Sequence, residues 1–339
     1  MPTLTRRNFG ALALGGATLG GVRPVAAQAG AEGIVVYNAQ HASLTQAWAD
    51  GFARESGVKV TLRKGSDVEL ANQILQEGAG SPADVFVTEN SPAMTLVDGA
   101  GLFAALDPAT LALVPAEYRP ADGRWMGIAA RSTVFAYDKT RLAAEGLPRS
   151  IMELAAPAWK GRWGAAPAGA DFQAIVGAVL ALRGEEATLA WLRGMKANVR
   201  TYRGNSVAMK AVNEGEVEGA VIYHYYFAGD QARTGENSRN VALHHFRGGD
   251  PGAFLSVSGA GVLASSKRRP QAEAFVGWMA GPGGQGVLRD GDSYEYAIGN
   301  GAASNARLEP IAKLEAPRVP VQALDGRKVV DLMIAAGLI

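Results

Sequence analysis

The 339-residue chain contains no cysteine, which removes disulfides, thiolate zinc sites, iron–sulfur clusters and cysteine nucleophiles from consideration. Histidine is scarce, at four residues, and there is no HExxH, CxxC or His-rich tract, so the usual zinc chemistry is missing too. Also missing are a GxSxG elbow with a placed histidine and acid, and a Rossmann fingerprint. A secreted hydrolase or redox enzyme therefore has no support in these residues. Beyond the N-terminus no apolar run is long enough to span a bilayer. Neither sign of charge dominates, with 33 basic against 32 acidic residues, and no basic patch calls for nucleic acid. The 48% of hydrophobic residues supply a core sufficient for two lobes of a soluble protein.

What is present begins with TRRNFGALALGGATLGGVRPVAAQAG. Arg6, Arg7 and Phe9, a moderately apolar Gly/Ala/Leu run and small residues at the end read as a twin-arginine export signal over 1–29, cleaved near Ala27 or Ala29. The run is too short and too glycine-rich to serve as a membrane anchor. The mature protein is therefore expected in the periplasm. Its removal takes away Arg6, Arg7 and Arg23 and no acid, leaving the remainder formally at −2.

Short apolar runs then alternate with amphipathic segments, the pattern of strands joined by helices in an α/β sheet. GIVVYN (33–38), KVTLRKG (59–65) and ADVFVTE (83–89) read as strands, with helices over 44–56 and 67–77 between them. Two longer extended runs, GIAARSTVFAYDK (127–139) and FLSVSGAGVLASS (254–266), flank a segment at 162–222 with its own helices and strands. Two long strands around an insertion suggest two crossovers between lobes. The expected division is 30–130 plus 257–305 for lobe 1 and 131–256 plus 306–339 for lobe 2.

In open α/β sheets, ligands sit beyond the carboxyl ends of strands. Gln40 and His41 follow GIVVYN, Glu89 follows ADVFVT, and Tyr225 and Tyr226 follow GAVIYH. APAGAD (166–171) precedes a helix over 172–183 and aims backbone N–H groups at an anion. Taken alone, each of these residues has an ordinary reading: a tyrosine pair packs in cores, and a histidine at a helix start bonds locally. Taken together, two phenols, a carboxylate and an imidazole form a hard-oxygen set suited to a highly charged cation such as Fe³⁺. Phenols titrate near pH 10, so only a strongly charged metal deprotonates them at neutral pH. His244 and His245 are adjacent on a strand, point to opposite faces and cannot easily chelate one ion. His224 likewise faces away from its tyrosine neighbours if the strand continues.

The segments VVYNAQH, ADVFVTEN, AWKGRWG, YRGNSVAMKAVNEGEVEGAVI, YHYYF, DPGAFLSVSGAGVL and the closing LEAP with AAGLI resemble, in the same order, the periplasmic ferric-ion-binding proteins, the substrate-binding subunits of bacterial iron(III) ABC importers. The resemblance covers almost the whole mature chain. It implies an α/β two-lobed periplasmic binding protein with two hinge crossovers, monomeric, serving an inner-membrane ABC permease and its ATPase. It also implies iron ligands at His41, Glu89, Tyr225 and Tyr226.

The family's Ser-Gly-Ala anion turn corresponds to Ala168, Gly169 and Ala170, which lack the serine hydroxyl and keep the backbone donors. Asn205 matches a family asparagine. Tyr223 stands where a second asparagine is expected, and Asn90 where a glutamine is. The synergistic anion is then carbonate or phosphate, or is replaced by water, another chelate or a third phenolate from Tyr223, which shares a face with Tyr225 in an extended chain. The rival cargos on the same fold are polyamine, thiamine, sulfate or organophosphate. The acid and tyrosine doublet argue against polyamine, which calls for several acids and aromatic walls, and against sulfate, which calls for uncharged donors and no carboxylate.

Overall fold

The computed structural model describes residues 33–339, so the expected export signal lies outside the described residues. β1 (Ile34–Asn38) leads into α1 (Ala42–Ser56), which stops at Gly57, whose φ of 74° is open to glycine without strain. β2 (Val60–Lys64) follows, and then α2 (Asp67–Glu77), entered through a capping box in which Ser66 and Glu69 satisfy each other's backbone donors. Next come β3 (Val85–Val87), α3 (Ser91–Gly99) and α4 (Pro108–Leu111). β4 (Trp125–Asp138) is a 14-residue strand.

Beyond it lie β5 (Trp163–Ala165), α5 (Ala170–Asn198), β6 (Val199–Thr201), α6 (Asn205–Asn213), β7 (Gly219–Tyr223), α7 (His224–Arg233) and β8 (Val241–His244). α5 is interrupted at Gly184, where φ is 79°, so the helix expected to end at residue 183 resumes one residue later. β9 (Leu255–Val262), α8 (Arg269–Ala280), α9 (Pro282–Asp290) and α10 (Gly326–Ala335) complete the fold.

The strands form a mixed sheet in the order β2-β1-β3-β9-β4-β7-β5-β6, with β8 against β4. β4 makes the crossover. Its first half, Trp125 to Ser132, pairs with β9, and from Thr133 onward it pairs with β7 and β8. Residue alternation loads both faces in each lobe. In lobe 1, Val36, Val85 and Val87 pack against Trp48, Phe52 and Phe275, while Tyr37 and Phe86 point the other way, to Leu70, Ile74 and Met94. In lobe 2, Phe135, Val221 and Tyr223 face α5, and Val134, Ala220 and Ile222 face α6. Sheets covered by helices on both sides need such unbroken apolar strands.

The expected lobe boundary at residue 306 is crossed by the chain. Leu314 and Val321 pack in lobe 1, whereas Val329, Leu332 and Met333 of α10 pack on lobe 2. The reason is composition: the proline-punctuated stretch before α10 stays irregular and follows the surface of both lobes. The strand expected through Glu89 ends at Val87, because the amides of Glu89 and Asn90 turn to the Asp67 carboxylate.

β7 pairs with β4, and a Cβ built on Gly219 would overlap the outer edge of the Phe135 ring. Gly219→Ala should therefore cost about 1–3 kcal/mol, seen as a lower urea midpoint at unchanged slope. An unchanged midpoint would show that these strands tolerate separation.

Candidate metal centre

His41 reaches the site through a tight turn after β1. The Asn38 side chain accepts from the Gln40 amide at 3.1 Å and donates to the Gln40 carbonyl at 2.9 Å. His41 then caps α1 without using its ring as the capping group. Its Nε2 lies 3.3 Å from Glu89 Oε1 and its Nδ1 lies 3.2 Å from Glu295 Oε1. Glu89 is carried by the turn after β3, where Asp67, the buried first residue of α2, accepts the Glu89 and Asn90 amides at 2.9 Å each.

The tyrosine doublet does not extend the strand. β7 ends at Tyr223 and α7 begins at His224, so the face shared by Tyr223 and Tyr225 in an extended chain is not formed. On a strand, neighbours point to opposite faces; on a helix they diverge by about 100°. Tyr225 and Tyr226 accordingly sit side by side, ring centroids 4.3 Å apart. The Tyr225 hydroxyl lies 3.0 Å from Glu89 Oε1 and 3.4 Å from Asp171 Oδ2, and the Tyr226 hydroxyl 3.2 Å from Asp171 Oδ2. His41, Glu89, Tyr225 and Tyr226 thus meet in one polar cluster between the lobes.

Asp171 is the member that sequence reasoning missed, although it was quoted within APAGAD. An acid in the first turn of a helix reads as an ordinary partner of the helix dipole, and nothing local marks it otherwise. The groups expected to hold an external anion gather around this carboxylate instead. Asn90 Nδ2 donates to Asp171 Oδ1 at 3.0 Å and Asn205 Nδ2 to Oδ2 at 2.7 Å. Tyr223 donates to the Asp171 carbonyl at 3.2 Å and to Asn90 Oδ1 at 3.4 Å. Ala168, Gly169 and Ala170 run directly into α5, with Gly169 as the capping residue.

The remaining histidines bond elsewhere. His224 accepts from the Ser132 amide at 3.1 Å and bonds the Tyr294 carbonyl at 2.8 Å. His244 bonds the Pro148 carbonyl, and His245 faces the Ser132 hydroxyl. Among the described residues, no three His, Cys, Asp or Glu side chains form a metal-holding group.

The cluster is crowded with buried acidic groups. Burial, then Asp171, pushes the Glu89 carboxyl up to about 8, and burial with the same carboxylates raises both phenols well above their ordinary range. Burial raises Asp67 to about 7. Burial disfavours the His41 cation, but Glu295 and Glu89 outweigh it and raise its pKa. Buried Arg131, 2.7 Å from Glu295 Oε2 and 5.9 Å from the centres of the Tyr223 and Tyr225 rings, is the nearby fixed positive charge. The cluster holds protons that a polyvalent cation would displace.

A two-lobed α/β body closing on such a cluster defines a solute-binding protein. Residues 80–318 match the profile of the bacterial extracellular solute-binding proteins, and the chain belongs to that family. It is 59% identical to the Fe(3+)-binding periplasmic protein of Serratia marcescens, over 91% of each chain. It is 39% identical to the major ferric iron-binding protein of Neisseria meningitidis, over 84% of this chain and 87% of the relative. Iron-bound HitA from Pseudomonas aeruginosa superposes with a TM-score of 0.85 at 41% identity, covering 90% of this chain and 99% of HitA.

A carboxyl whose pKa rises on folding holds its proton more tightly in the fold than in the unfolded chain. The stability it contributes is full at low pH and is lost as pH climbs through the folded pKa. His224, kept neutral by burial with a pKa of about 3, opposes this trend only below about 6.5. The melting temperature of the metal-free protein should therefore fall between about pH 6.5 and 8 as Asp67 and Glu89 ionise. Calorimetry after ferric loading should show the opposite slope, since metal replaces the protons. A metal-free melting temperature that rises across this window would refute the assignment of these shifts.

Proposed function

We propose that the protein captures Fe³⁺ between its lobes in the periplasm and delivers it to an inner-membrane ABC permease driven by its ATPase. The observation that carries this reading is Glu89 Oε1, faced at once by His41 Nε2 from lobe 1 and the Tyr225 hydroxyl from lobe 2. Similarity to the Serratia and Neisseria proteins and to iron-bound HitA supports it. His41 and Glu89 come from lobe 1, and Tyr225 and Tyr226 from lobe 2, with the lobes divided near residues 130 and 256. Ligands from both sides favour the closed state, because only that state makes all the bonds.

Asp171 serves as a further ligand in this reading, occupying with its own carboxylate the place an exogenous carbonate or phosphate takes in a site built on a Ser-Gly-Ala turn. Asn90 and Asn205 orient it, and the Ala168–Gly169–Ala170 turn presents the helix start that carries it. The protein acts as a monomeric binding protein, exported by the twin-arginine route and without a reaction of its own.

A visible absorption titration with a ferric chelate tests the site. A phenolate-to-iron charge-transfer band should saturate at one equivalent, and Tyr225→Phe/Tyr226→Phe should abolish it while the protein still melts cooperatively. Full ferric affinity in that double variant would defeat the proposal. If Asp171 replaces the anion, the wild-type band persists when carbonate and phosphate are removed, and Asp171→Asn makes it dependent on added anion. A wild-type band that vanishes without anion would return the role to an external group.

A further inference from the structure

Outside the cluster stands a buried carboxylate with no assigned task. Glu295 is fully buried, and its two oxygens are divided between different partners. Oε2 accepts from Arg131 Nη2 at 2.7 Å and from Gln40 Nε2 at 3.2 Å, while Oε1 faces His41 Nδ1 at 3.2 Å. Burial opposes its ionisation, but Arg131 and His41 outweigh burial and hold it below the ordinary carboxylate range.

Its backbone is pinned from both sides. Tyr296 exchanges two hydrogen bonds with Ala130 at 2.8 and 3.0 Å, and the preceding Tyr294 sits at a φ of 53° with its carbonyl bonded to His224. A left-handed tyrosine is costly and persists where its surroundings fix it. A buried ion pair is also a weak stabiliser that apolar residues often replace without loss. Neither the strain nor the Arg131–Glu295 pair is accounted for by stability.

We infer that Glu295 is a positioning residue for the His41 ring. It accepts the Nδ1 proton and so leaves the Nε2 lone pair directed at the cluster formed by Glu89 and Tyr225. A histidine metal ligand commonly donates its other ring N–H to a carboxylate, which sets tautomer and orientation. The inference rests on the proposed metal site for its purpose, but the tautomer is a property of the metal-free protein.

Glu295→Gln separates the roles. Arg131 and Gln40, both donors, claim the amide oxygen, so the amide NH₂ is left facing Nδ1 and reverses the hydrogen bond. Long-range ¹H–¹⁵N correlation spectra of metal-free protein, in alkaline buffer where His41 is neutral, should show the proton on Nδ1 in the wild type and on Nε2 in Glu295→Gln. Ferric affinity, measured by competition with a chelator, should fall about 10- to 100-fold, with no further loss when Glu295→Gln is added to His41→Ala. If Glu295→Gln does not fold, Glu295→Leu/Arg131→Met removes both charges together and should also place the proton on Nε2, where Glu89 is the remaining acceptor. A His41 proton that stays on Nδ1 in the folded variant overturns the inference, as does an equal loss of affinity in the His41→Ala background. A wild-type protein that binds no iron yet shows the tautomer switch would leave the positioning role standing and sink the proposed function instead.

Discussion

A surplus of acidic groups around one small volume governs this molecule. Glu89, Asp171 and two phenols converge from both lobes, joined by direct hydrogen bonds. Arg131 is the nearby fixed cation and is already paired with Glu295. Burial and the neighbouring carboxylates drive Glu89 and both phenols upward, so these three hold their protons in the metal-free state. Under the proposed reading, the protons held by Glu89 and the two phenols are what a highly charged cation would displace.

The internal carboxylate changes what such a receptor demands of its surroundings. Asn90 and Asn205 spend their donors on Asp171, and Ser256 further holds Asn90 at 2.6 Å. The Asn90–Asp171 bond runs between the lobes, with Asn90 following β3 and Asp171 in the first turn of α5. Under the proposed reading, a ligand tethered to the chain pays less entropy on closure than a free anion that must be captured from solution. It also removes one route of release, since a tethered ligand cannot diffuse away, leaving protonation or reduction of the metal.

Much of the scaffold was legible because apolar runs and their punctuation are local. β1, α2 and the two long strands follow from β-branched runs and from the Ser66–Glu69 cap, and the four proposed ligands follow from their places beyond strand ends and from the resemblance. The helix start at His224 was not legible, because a hydrophobic run with aromatic residues fits a strand as well as a buried helix. Asp171 looked like any acid at a helix start. Glu295 lies in GDSYEYA, a stretch without periodicity, and its partners Gln40 and Arg131 are 255 and 164 residues away. Contacts of that range depend on the assembled sheet, which no local pattern encodes.

The position of His224 ties these parts to the hinge. It stands between the strand that ends at Tyr223 and the helix that carries the doublet, and it grips Ser132, where β4 exchanges β9 for β7, and Tyr294, next to Glu295. The doublet is therefore anchored to the crossover itself, while His41 and Glu89 belong to strands on the far side of it. Along β9, Ser256 and Ser258 face the cluster, and Leu255 and Val257, one residue out of phase, pack on the reverse face. A rotation about this crossover separates Tyr225 from Glu89 at once, because a polar contact of 3.0 Å has little slack. The contacts from Glu295 to His41 and Arg131 lie on the β9-paired side of the crossover, before β4 turns to β7 at Thr133, and need not break. Under the proposed reading, opening would withdraw the phenols and Asp171 from Glu89, while the contact to Glu295 keeps the orientation of the His41 ring.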